Sequence, residues 1–458
     1  VLFQTPLFFA FFAVVLVLLL LLRSPRQRQW LLLLASLLFY ASWDWRFLSL
    51  LLISTCVDYA VGLGLARNPA RGRSLVTLSV VTNLGILGAF KYYDFFADSA
   101  ALLMESLGVS LHPTTLDVVL PVGISFYTFQ SMSYTLDVHR GVIPAERSLR
   151  RFALYVAFFP QLVAGPIVRA GHFLPQLDRA CRPRARDFAP GALLFAVGLF
   201  KKVALSDHVG LFSDRVFAEH ATLPPWIVAL GVLCYAFQIY LDFSGYSDMA
   251  IGCGRMLGFR LPRNFDLPYR AASPREFWRR WHISLSTWLR DYLYVSLGGN
   301  RHGPARTTAN GLVTMLLGGL WHGASWNFVL WGVWHGLWIA LSRPLERLPR
   351  ACSWSLTFAA VLLGWVLFRS EGLDHALSMF HSMIRLGGPV IAPVNFPFAT
   401  ALAALGVAGF AHTGAGVRAG SRVWRSSHPT RAFLAGALMI SSFILAQGQT
   451  RPFIYFQF

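Results

Sequence analysis

Apolar runs long enough to cross or nearly cross a bilayer recur from Leu7 to the end of the chain. This pattern predicts an all-α, polytopic integral membrane protein rather than a soluble domain carrying one anchor. The first run, Pro6 to Leu22, is followed by Arg23-Ser24-Pro25-Arg26-Gln27-Arg28 with no small-residue cleavage pattern, so it is expected to stay as a span. A third span covers roughly Phe47 to Leu65, and another run begins at Pro121. Pro190 to Leu205 and Trp226 to Phe243 follow, then Leu312 to Trp321, Asn327 to Leu341, Thr357 to Phe368, Ala399 to Phe410 and Ala432 to Ala446. Counting the short runs gives about 11–13 transmembrane helices. Phe152 to Pro166 is too short for a straight span and is broken by Pro160, Gly165 and Pro166, which predicts a re-entrant or kinked element buried in protein. With no internal repeat and no soluble domain, the chain reads as one integral domain over 1–458, centred on about 230–345, with further spans over 346–458.

Charge orients these spans. Arg23, Arg26 and Arg28 follow the first span, and Arg67, Arg71 and Arg73 follow the third, whereas Asp94 to Leu120 holds acidic residues and no Lys or Arg. The positive-inside rule therefore puts both arginine clusters in the cytoplasm and the N-terminus outside. Arg140 to Arg151, Arg169 to Arg186, Arg343 to Arg350 and Arg418 to Arg431 also fall inside, and the stretch Phe453 to Phe458 falls outside.

Composition agrees with this reading. Hydrophobic residues make up 55% of the 458 and charged residues 13%, against roughly 25% charged in a soluble domain. A net charge of +19 would suggest nucleic-acid binding in a soluble protein; here arginine-rich cytoplasmic loops account for most of it, leaving a basic surface suited to anionic headgroups or an anionic donor. Five cysteines without a CxxC pair indicate neither a disulfide framework nor a metal site. The chain also lacks GxSxG, P-loop and HExxH motifs, which removes support for hydrolase, nucleotide-driven pump and zinc-protease chemistry.

Three stretches carry candidate chemistry. In Leu316 to Ala324, His322 follows Trp321 inside an apolar run, where a titratable ring is costly and imidazole is the side chain best suited to move protons near neutral pH. Two readings stand: a hydrogen-bonded structural histidine, or a catalytic one approached closely across Gly318, Gly319 and Gly323. His335 repeats the Trp-His-Gly pattern on the next span and either faces the same cavity or packs. In Glu276 to Tyr292, helical spacing lines up Trp278, Trp281 and Trp288, with His282, Ser284, Arg279, Arg290 and Asp291 among them. That segment is either an interfacial aromatic belt or the wall of a channel for a substrate with an apolar body and an anionic group. The third stretch, Gln238 to Asp248, sets Asp242 and Asp248 beside a span, as part of an ion or proton path or as caps and structural hydrogen bonds.

Taken together, Glu276 to Tyr292, Leu-Gly-Gly-Asn-Arg at 297–301 and Leu316 to Ala324 resemble the membrane-bound O-acyltransferases, in particular a bacterial alginate O-acetyltransferase-like branch. Pro121 to Gln130, Phe158-Phe159-Pro160, Ala164-Gly165-Pro166 and Tyr240 to Ala250 resemble that branch too. The resemblance implies acyl transfer through a membrane-embedded tunnel, with His322 at the family's near-invariant histidine and His282 at a second position that is histidine or asparagine in relatives. It implies acetyl-CoA as donor, no tightly bound cofactor, and a multi-pass protein of the bacterial inner membrane. It also implies a polysaccharide acceptor and a periplasmic acetyltransferase-type partner, with no nucleic-acid partner. His322 is then the expected general base, with His282 positioning the acceptor or stabilising the oxyanion. Outside this class stands a glycan or lipid transporter without chemistry; within it, a lipid acyltransferase or a D-alanyl exporter.

Overall fold

A computed structural model describes residues 3–110, 114–116, 119–163, 165–179, 182–385, 397–446, 451 and 453–454. Ala164, Cys181 and the chain from 455 onward lie outside the described residues, which form helices and connecting turns with no strand. Among the described residues five helices are long and apolar enough to cross a membrane: Trp45–Arg67, Pro69–Ser106, Ala185–Thr222, Pro225–Met256 and Arg350–Arg369. A sixth span is obtained if Phe398–Ala411 and Gly414–Arg425, bent by 74°, are taken as one. The all-α polytopic architecture is thus as expected. The higher count from hydropathy includes shorter apolar helices, such as Pro6–Leu21 with 16 residues and Trp326–Ala340 with 15.

The helices group into two compact units. One comprises residues 1–187 with 253–262, the other 188–252 with 263–458. The first is organised around the buried carboxylate of Asp58 on Leu48–Arg67. Ser79 Oγ and Asn83 Nδ2 donate to it at 2.6 and 2.9 Å, as does Ser131 Oγ. Such saturation is what a carboxylate needs away from water. The expected kink after Phe152 is present: Leu149–Ala157 stops at a non-helical Phe158, and Phe159–Leu162 adds one buried turn. Pro160 cannot donate to the residue four before it, and the neighbouring Phe159 N–H is taken up by Ser36 Oγ at 3.1 Å.

Glycines determine packing in the second unit. Gly191 and Gly198 on Ala185–Leu199 meet Gly252 and Gly245 on Pro225–Met256. A Cβ on Gly245 would lie 2.7 Å from the Gly198 carbonyl oxygen, and one on Gly252 would lie 2.7 Å from that of Gly191. Backbones touch there, as small residues in membrane helices permit. The same holds where Gly303–His322 folds back on Trp326–Ala340: a Cβ on Gly319 would collide with the Phe328 carbonyl oxygen, and one on Gly332 with that of Met315. The glycines beside His322 therefore admit a helix.

Gly319→Ala should lower stability by about 1–3 kcal/mol through this overpacking. Gly311→Ala, on the same helix with open space around its Cα, should be neutral or mildly stabilising. Thermal unfolding of the two variants checks the account, and equal midpoints would contradict it.

Candidate active site

The aromatic segment does not form one helix. Pro274–Arg280 ends at an extended Trp281, and Ile283–Trp288 begins after His282, whose φ of 41° is left-handed. The stripe expected for Trp278, Trp281 and Trp288 is therefore broken between its second and third members. The break is stabilised by His282 itself, whose Nδ1 accepts the Leu285 N–H at 3.4 Å as an N-cap. A ring nitrogen that accepts is unprotonated, so this bond assigns the proton of the neutral ring to Nε2. His282 is fully buried, and burial pushes its pKa down to about 3, keeping the imidazole neutral at physiological pH.

Asn264, which no sequence spacing singled out, fixes this turn. Its carbonyl oxygen accepts the Ile283 N–H at 2.9 Å, and its Oδ1 accepts the Ser284 N–H at 3.2 Å and the Ser284 hydroxyl at 2.9 Å. Its Nδ2 donates to Ser247 Oγ at 3.2 Å. Ser284 thus helps to hold the turn.

His322 is the last residue of Gly303–His322 and is buried. Its ring centroid lies 4.9 Å from Trp321, 5.1 Å from Trp331 and 5.3 Å from Phe368. Trp321 also meets His282 at 6.0 Å, so one indole contacts both candidate histidines. His335 approaches Trp331 at 4.8 Å, Trp278 at 5.1 Å, Phe277 at 6.3 Å and Trp365 at 6.5 Å. It shares the Trp331 indole with His322. Trp281 packs on Trp365 at 4.9 Å and on Phe265 at 5.1 Å. Trp365 and Phe368 come from the chain beyond 346, where sequence reasoning found little.

The remaining expected residues lie elsewhere. Arg279 is exposed, and Arg290 pairs with its neighbour Asp291 at 2.7 Å on the surface, so neither arginine joins the aromatic cluster. Trp288 packs on Tyr292 at 5.1 Å. Asp242 and Asp248 are held in ion pairs, with Lys202 at 2.9 Å and Lys201 at 2.6 Å. Among the described residues no group of three or more His, Cys, Asp or Glu side chains could hold a metal.

Residues 143–355 match the membrane-bound O-acyltransferase (MBOAT) family. A protein of Azotobacter vinelandii named "Probable alginate O-acetylase" is 46% identical over 381 residues, covering 81% of this chain and 75% of its own. The protein of that name from Pseudomonas aeruginosa is 43% identical over 406 residues, covering 86% and 77%. The chain belongs to the membrane-bound O-acyltransferase family. A peptidoglycan O-acetyltransferase of Helicobacter pylori is 36% identical over 432 residues, covering 85% of this chain and 80% of its own. This MBOAT protein is an O-acyltransferase and a multi-pass membrane protein, so the transporter reading without chemistry falls away.

Asn264→Ala should loosen the His282 turn in this MBOAT chain, costing about 1–3 kcal/mol for the buried groups left unpaired and lowering acyl transfer about tenfold or more. Activity per folded molecule in a purified preparation measures the second effect. Wild-type turnover would show that the turn does not depend on Asn264.

Proposed function

We propose that this protein transfers an acetyl group from a cytoplasmic thioester donor, acetyl-CoA, to hydroxyl groups of an extracytoplasmic polysaccharide, directly or through a periplasmic partner protein. The observation that carries this reading is the contact of one buried indole, Trp321, with both His282 and His322. The names of the relatives support the acetyl group and the glycan acceptor. The arginine clusters support donor entry from the cytoplasmic side of the inner membrane.

In this mechanism His322 is the general base. It takes the proton of the acceptor hydroxyl as the oxygen attacks the thioester carbonyl. The imidazolium so formed sits at the C-terminal end of a helix, where the carbonyl dipoles favour positive charge. The tetrahedral oxyanion accepts a hydrogen bond from His282 Nε2–H, the tautomer that the Leu285 bond selects. Collapse re-forms the carbonyl, breaks the carbon–sulfur bond and returns the proton from His322 to the departing thiolate, leaving ester and thiol. Surrounding aromatic rings exclude the water that would otherwise hydrolyse the thioester.

Cells fed a labelled acetyl precursor should incorporate label into surface polysaccharide with the wild-type protein. His322→Ala, present at equal amount in the membrane, should reduce incorporation at least about 100-fold. Undiminished incorporation would refute His322 as the base.

A further inference from the structure

Behind His282 stands a wall that the mechanism does not use. The Phe243 ring meets His282 edge-on at 4.6 Å, on the side chain's approach from Pro225–Met256. Phe453, fully buried and more than 200 positions later, packs on Phe243 at 5.5 Å and on Tyr246 at 4.5 Å. Both flanks of Phe453 are tied down. The Ile454 N–H donates to Asp242 Oδ2 at 2.6 Å, and Arg451 pairs with Asp214. Asp242 is itself fixed, because its other oxygen pairs with the buried Lys202 at 2.9 Å and Lys202 reaches Asp207 at 2.8 Å.

From this arrangement we infer that Phe453 is a positioning residue for acyl transfer, wedged behind Phe243 so that the His282 ring is held against Trp321. The inference rests on the reading of His282 as the oxyanion donor. A buried aromatic ring in a close-packed site cannot be removed without the neighbours shifting into its place. Tyr246 and Phe243 border the space Phe453 fills, and a shift of Phe243 toward it carries the His282 ring along. A donor displaced by a fraction of an ångström loses much of its hold on the transition state while the substrate still binds. The ion pairs around Asp242 and Asp214 act at one remove: they keep the Phe453 backbone in register with Phe243.

The experiment is a double-mutant cycle on the purified full chain, with turnover expressed per mole of monodisperse folded protein. Phe453→Ala should lower kcat about tenfold while the donor KM stays within about twofold. Phe453→Leu, which refills most of the volume, should return kcat to within about threefold of wild type. In the His282→Leu background, which has no side-chain donor, Phe453→Ala should add no further loss, because the group it positions is gone. An equal loss in both backgrounds, no loss in the single variant, or failure of Phe453→Leu to recover in folded protein overturns the proposal. Wild-type turnover by His282→Leu alone removes the catalytic reading of His282 instead, and that result is obtained before Phe453 is altered.

Discussion

The bond from the Leu285 N–H to His282 Nδ1 is the interaction on which the rest of the site depends. It caps a helix, sustains a left-handed turn at a non-glycine residue, and selects the tautomer whose proton lies on Nε2. Without it the 274–288 segment would run on as one helix, with Trp278, Trp281 and Trp288 on a single stripe and His282 projecting from a regular turn. With it, the helix breaks at Trp281, the imidazole is buried against Phe243 and Trp321, and Asn264 saturates the backbone exposed by the break. A left-handed non-glycine residue costs about 1–3 kcal/mol and persists where its surroundings over-determine it; here a cap, an asparagine and two aromatic rings do so.

The second histidine is placed by a different device. His322 ends a helix whose glycines let Trp326–Ala340 pack backbone against backbone. That proximity brings Trp331 onto the His322 ring. Trp321 thus meets His322 as its neighbour on the same helix and His282 across the strained turn of a separate element. Their chemical roles differ accordingly: the buried neutral ring of His282 is suited to donate a hydrogen bond, and the helix-terminal ring of His322 is suited to carry a transient positive charge.

Much of this was readable in the sequence, where the cause is local. Apolar runs gave the helical membrane architecture, and Pro160 gave the break after Phe158. The cost of a histidine in an apolar run drew attention to His322. What stayed hidden depends on contacts distant in sequence. Asn264 acts through a turn about twenty positions away, and Trp365 and Phe368 come from a helix whose composition shows only hydrophobicity. Asp242 and Asp248 were legible as costly carboxylates, but Lys201 and Lys202, on a π-helical stretch some forty positions earlier, were not legible as their partners. The tryptophan stripe failed for a sharper reason: helical periodicity assumes an unbroken helix, and a histidine ring acting as an N-cap is not a signal that spacing contains.

The central claim is that His322 moves the proton in acyl transfer, and single-turnover thioester cleavage by the purified protein tests it most directly. With excess protein and a labelled acetyl thioester, plus a hydroxyl acceptor, the account predicts rapid thiol release by wild type and release at least about 100-fold slower by His322→Gln. Donor affinity should be unchanged. Thiol release at the wild-type rate by folded His322→Gln protein would contradict the account.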